Sequence, residues 1–346
     1  VLAAFSATFL LMAPALSAQV NDKLPDPDGK PADMSKPVQV FIIMGQSNTL
    51  EMGRIGGDKD GALLKAINEE GLYPFMVDDA GNWTVRNDVR QVHVMQKRGS
   101  MNVGRNQFLS VKGGKIGIDQ GIGHQLGNAV DAPVMVLRSS IGNRGLGWDL
   151  LPPGSPSWEY EVKNRKTGEM ETRVFAGYKQ SPSSWVKGTT PEPIKWYAGK
   201  QYDDDVGNAK KILEQLDKYY PDAKGYEVAG FFWWQGCKDR GNPAYFNRYE
   251  LHLTNLIAAL RKDFNSPNAK FVAASLGEDE MGVDNGGGKI LEAIMNVAEK
   301  DKNAAGVYTH PLTIPPGSSC GHYGGSAKTY MNVGLAMGEA MVKLLD

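Results

Sequence analysis

The 346-residue sequence predicts an α/β fold, a three-layer α/β/α sandwich with about five parallel strands. Two observations carry that expectation. Continuous apolar runs at 38–44, 133–140, 226–234 and 270–276 have the length and composition of strands buried on both faces, and a weaker run lies at 91–95. Between them, segments 119–129, 203–219, 243–264, 288–302 and 325–345 read as helices. In the third, Tyr245, Tyr249, His252, Leu253, Leu256, Ile257 and Leu260 recur at 3–4-residue spacing. Strands alternating with helices of that length form a parallel sheet covered on both sides. Apolar residues make up 41% of the chain and charged residues 22%, enough for a core without staples. With 38 basic against 39 acidic residues, the net charge of −1 gives nucleic acid or an anionic membrane surface no electrostatic hold.

Along the chain, residues 1–18 carry no charge and end in small residues, as the apolar and cleavage portions of a secretory signal do. The polar, Pro-rich 19–37 reads as a linker. The mature protein is therefore expected to start near Gln19 and to be secreted or periplasmic, with one domain over 38–346. No later run is long and apolar enough to span a bilayer. Two segments break the alternation. Residues 54–115 are rich in Gly, Asp and Lys; residues 150–200 hold a β-hairpin pattern around Lys166-Thr167-Gly168, then Trp185, Trp196 and Tyr197. Insertions this long usually sit at the carboxyl edge of the sheet, where sites open.

The sharpest local signal is FIIMGQSN, residues 41–48. A buried strand runs into Gly45, which permits a tight turn. Ser47 then stands at a strand end, where a following helix would point its amides at an anion. A plain Gly-Ser turn is the other reading. The octapeptide resembles the first block of the SGNH hydrolases, in the branch of sialate O-acetylesterases and acetylxylan esterases. Three further stretches resemble that branch's later blocks in order: LRSSIGNRGLGWDLLPPGSP at 137–156, FFWWQGCKD at 231–239 and GHYGGSAKTYMNVGLAMGEAM at 321–341.

The resemblance implies a flavodoxin-like sandwich and hydrolysis of O-acetyl groups from a glycan through an acyl-serine, without cofactor or metal. Carried over, Ser47 is the nucleophile and His322 the base. The Ser47 and Gly142 amides and the Gln235 side chain form the oxyanion hole. Asn48, Asn143, Arg144 and Trp148 are substrate-binding candidates. Trp148, Trp158, Trp185, Trp196 and Tyr197 could stack on sugar rings or simply pack the insertion. Two positions depart from the pattern: Ser319 stands where the family has the triad Asp, and Cys237 where it has Glu. Asp239 is the nearest replacement acid by motif. His310 is a second-rank base; His93, His124 and His252 have no ligand spacing. A lipase or thioesterase of the same superfamily, or a catalytically silent glycan-binding protein, remain as alternatives. Cys237 follows Gln235 by two residues and Cys320 precedes His322 by two. In an SGNH fold both loops border one site, which implies a disulfide between them, with two buried thiols as the other reading. The sequence carries no signal of oligomeric state.

Overall fold

The computed structural model describes residues 20–57, 59–164 and 166–346, so the expected signal segment lies outside the described residues. In chain order the strands and helices are β1 (Val38–Gly45), β2 (Gly53–Arg54), α1 (Leu63–Asn68), β3 (Arg86–Lys97), β4 (Ser100–Leu109), β5 (Lys115–Ile116) and α2 (Asp119–Ala129). There follow β6 (Val134–Ser139), β7 (Trp158–Lys163), β8 (Met170–Phe175), β9 (Ser184–Val186), α3 (Lys200–Leu213) and β10 (Tyr226–Trp234). The chain closes with α4 (Pro243–Phe246), α5 (Tyr249–Asp263), β11 (Lys270–Ala274), α6 (Gly286–Lys300), β12 (Ala304–Val307) and α7 (Ala327–Leu345).

The main sheet has the order β12-β11-β10-β1-β6-β3-β4. Every neighbouring pair is parallel except β3–β4. β1 shows why the runs are continuously apolar. Val40, Ile42 and Met44 point to a core built with α3, α5 and α6, while Phe41 and Ile43 point to one built with α2 and α7. Both faces are covered, so both must be apolar. Each side chain so buried contributes roughly 1.5–3 kcal/mol relative to exposure. This is the expected three-layer sandwich, with six parallel strands rather than five. The sixth, β12, is the short AAGV segment just before His310. β3 was read as five residues and has twelve: its polar Gln91 and His93 face inward and bond the buried Asp119 at 2.6 and 2.9 Å.

The two irregular segments behave differently from each other. Residues 86–109 extend the sheet itself as β3 and β4. The expected hairpin is β7–β8, with β9 added as a third antiparallel strand. It packs its own small core of Leu151, Trp158, Phe175, Ala176, Ala198 and Ala244. The described part of the supposed linker lies along the body. Leu24 is buried, Asp33 N–H donates to Asp131 O at 3.0 Å, and the Asn87 side chain donates to Gly29 O at 2.8 Å. Among the described residues, no helix is long and apolar enough to cross a membrane.

Candidate active site

β1 ends at the sheet's centre between β6 and β10, so its carboxyl end faces loops from both neighbours. Gly45 has φ +143°, and a Cβ there would lie 2.5 Å from Trp234 O, so only glycine fits the exit from the strand. Ser47 opens a single 3-10 turn, Ser47–Thr49, instead of the helix expected after it. The turn is held from below. Thr49 Oγ1 donates to Gln46 O at 2.7 Å and lies 2.7 Å from Ser140 Oγ at the end of β6. Ser47 is half-buried, whereas Asn48 is fully buried and donates its amide to Tyr323 Oη at 3.4 Å. Asn48 is thus a bracing residue and not the substrate contact expected. Gly142 lies close against Ser47: a Cβ built there would lie 3.3 Å from Ser47 Cβ. Among the described residues, no hydrogen bond occupies the Gly142 N–H.

The loop that carries Gly142 is clamped by buried carboxylates. Gly145 N–H donates to Asp149 Oδ2 at 2.9 Å, Leu146 N–H to Asp239 Oδ2 at 2.9 Å, and Gly147 N–H to Asp239 Oδ1 at 2.8 Å. Gln235 Nε2 donates to Asp239 Oδ2 at 2.5 Å and to Arg144 O at 2.9 Å, and Tyr249 Oη donates to Gln235 Oε1 at 2.8 Å. These contacts correct two expectations. Gln235 is fully buried with its amide hydrogens engaged, so it has none to offer an oxyanion. Asp239 directs both oxygens at the Gly142 loop and Gln235, so it does not serve as the acid behind His322. Burial pushes the Asp239 carboxyl up to about 6, against the pull of the Gly147, Gln235 and Leu146 donors. Gln46 completes the weave, its Oε1 accepting from Gly236 N–H at 3.4 Å and Lys238 N–H at 3.3 Å.

The His322 loop is held by other means. His322, Tyr323, Gly324 and Gly325 have φ of 71°, 50°, 61° and 78°, a left-handed run that two non-glycine residues adopt only under constraint. The constraint comes from both flanks. Tyr323 is buried, stacks on Trp234 with centroids 5.2 Å apart, and accepts at Oη from Asn48 Nδ2 and from Gly277 N–H at 3.3 Å. On the other flank Cys320 meets Cys237 with Cα atoms 6.2 Å apart, inside the range a disulfide spans. Glu278 stands beside this sulfur pair and is ion-paired with Arg240. Among the described residues, the histidines within ion-pairing distance of a carboxylate are His93 and His310, and His322 has no such partner.

The other histidines take different places. His310 stacks on Tyr308 with its Nε2 3.9 Å from Glu280. His124 and His252 are buried neutral, pushed down to about 3 by burial. His93 belongs to a buried cluster with Asp119, Glu51, Arg105 and Arg138, which sequence patterning did not reveal. At the rim, Asn143 is exposed, and Arg144 lies 4.9 Å over the Trp196 ring while donating to Gln201 at 2.9 Å. Trp148, Trp158 and Trp185 pack the hairpin core, the second of the two readings of these aromatics.

Residues 180–343 match the family model described as carbohydrate esterase, sialic acid-specific acetylesterase. The fold is similar to that of a protein from Arabidopsis thaliana, at 14% identity and a TM-score of 0.51, over 89% of this chain and 99% of that one. It is also similar to a carbohydrate acetylesterase from Xanthomonas citri, at 12% identity and a TM-score of 0.50, over 89% of this chain and 57% of that one. Nothing among curated protein sequences matches the chain.

Proposed function

We propose that this chain, a carbohydrate esterase by the family to which its residues 180–343 belong, removes O-acetyl groups through an acetyl-serine at Ser47. The observation that carries the reading is the close approach of Gly142 to Ser47 at the carboxyl ends of adjacent strands, with no hydrogen bond to the Gly142 N–H among the described residues. Ser47 Oγ attacks the acetyl carbonyl while His322 takes its proton. The same proton then passes to the departing sugar hydroxyl, and water, activated in turn by His322, releases acetate. The negative charge on the tetrahedral carbon's oxygen faces the amides of Ser47 and Gly142, each worth a few kcal/mol in a site closed to water.

No acid is required in this scheme if the imidazole is already held in place. Tyr323 and a Cys237–Cys320 disulfide do that from the two flanks. A disulfide fits an oxidising compartment, in line with reading residues 1–18 as a secretory signal, and we take the protein to be secreted or periplasmic. The family description names sialic acid, a sugar bearing a carboxylate. Arg144, two residues beyond Gly142, is the cation nearest in sequence to the oxyanion loop, and it suits such a group.

The test is hydrolysis of p-nitrophenyl esters and of an O-acetylated sialoside by the wild type and by Ser47→Ala. The account expects acetate to be strongly preferred over butyrate and activity to vanish in Ser47→Ala with an unchanged melting curve. A preference for long acyl chains would make the protein a lipase or thioesterase instead.

A further inference from the structure

Asp239 is a fully buried carboxylate surrounded by donors. Leu146 N–H, Gly147 N–H and Gln235 Nε2 all point at its two oxygens. Consecutive main-chain amides converging on one carboxylate form a small anion nest. The backbone of the loop lies directly on it: a Cβ at Gly145 would come within 3.3 Å of both Asp239 oxygens. This same loop begins at Gly142, against Ser47. An added proton would compete with these donors for the same oxygens, because each of the three partners donates to Asp239.

We propose that Asp239 is a positioning residue of the esterase: its ionised carboxylate holds the 145–147 backbone, and with it the Gly142 amide, in register with Ser47, and its protonation releases that loop. The proposal rests on the reading of Ser47 as nucleophile. The groups facing Asp239 from neighbouring elements are consistent with a proton-sensitive clamp. Asp149, a second buried carboxylate, takes Gly145 N–H on the same loop; Tyr245 of α4 and Tyr249 of α5 are neutral phenols. Lys238, the adjacent cation, has its Cγ 3.3 Å from where a Gly145 Cβ would be. Burial lifts the Asp239 carboxyl to about 6, so the clamp would open in mildly acidic solution. Activity would then need two protons absent at once, one from His322 and one from Asp239.

Three measurements separate the outcomes. In the wild type, log(kcat/KM) should fall on the acid side with a limiting slope of two. In Asp239→Asn, which puts an amide NH2 where an oxygen accepts, kcat should drop roughly 100-fold, the scale for displacing an oxyanion donor. There KM should change little and the acid slope should fall to one. Should that variant not fold, 15N NMR of Ser47→Ala decides: the Leu146 and Gly147 amides should titrate together near pH 6. A single-proton limb in the wild type, a wild-type rate in Asp239→Asn, or amides indifferent to pH would each overturn the clamp. Full activity in Ser47→Ala would overturn the nucleophile instead, and the NMR titration stands apart from that result.

Discussion

On the nucleophile side, the Gly142 loop hangs from the carboxylates of Asp149 and Asp239 through three main-chain amides, at 2.9, 2.9 and 2.8 Å. On the His322 side, no carboxylate among the described residues pairs with the imidazole. A sulfur pair, a buried tyrosine ring and a left-handed backbone run hold its loop. The first side is positioned by charge, and the second by cross-linking and packing. That difference matters because losing the orienting acid from a triad can reduce rate by about four orders of magnitude. A histidine already fixed at positions −2 and +1 depends less on such an acid. The two sides should accordingly answer to different perturbations, the first to protons and the second to reductants.

The largest effects should come from the reacting groups themselves. His322→Ala should lower kcat by at least about three orders of magnitude, as removal of a triad member does. His310→Ala should stay close to wild type, and a reversal of the two would exchange their roles. Next comes the cross-link. Cys320→Ser should lower kcat while the acid limb keeps its shape, because the damage is confined to the base side. In the chain-entropy model, its 83-residue separation is worth on the order of 4 kcal/mol, to be read as a lower melting temperature. Non-reducing peptide mapping that found both thiols free would remove this half of the comparison.

The strand runs were legible because burial on both faces writes one continuous apolar string: 226–234 was read from sequence and is β10, residue for residue. The same logic located α2 at 119–129. The approach of Cys237 to Cys320 was legible through the resemblance, since Cys237 lies in one motif block and Cys320 directly precedes another. The clamp was not. Asp239 meets Leu146 and Gly147 across 93 and 92 residues of chain, and no local pattern records which buried donors will converge on a carboxylate. Gln235 stood in the expected motif position, but its amide hydrogens were already taken by Asp239 and Arg144 O. Tyr323 could be seen as an aromatic after the histidine, while its anchoring to Trp234 and Asn48 depends on the fold.

A third perturbation sharpens the contrast through stability. The Asp239 carboxyl is raised from 3.8 to about 6 in the folded chain, so folding favours its protonated form. Its contribution is fully present below the unfolded value and is lost as pH rises through the folded one. Relative to Asp239→Asn, the wild type should lose roughly 2 kcal/mol of unfolding free energy between about pH 4 and about pH 7. Urea melts at the two pH values would show this, and parallel curves for the two proteins would mean an ordinary carboxyl. If Asp239 positions the loop as proposed, that role costs stability at the pH where its carboxylate is ionised. The smallest expected effect is that of Tyr323→Phe. It keeps the ring on Trp234 but removes the acceptor for Asn48 and Gly277. That should lower stability by about 1–2 kcal/mol and activity only several-fold, with a melting curve and kcat as the readout.

Covalent trapping bears on the proposal that Ser47 is a nucleophile activated by His322, without relying on any comparison of turnover rates. Wild-type protein treated with a fluorophosphonate and mapped by peptide mass spectrometry should carry a single adduct on Ser47. His322→Ala, folded and equally concentrated, should label far more slowly. An adduct on another residue, or unlabelled Ser47 in protein that still deacetylates its substrate, would contradict the account.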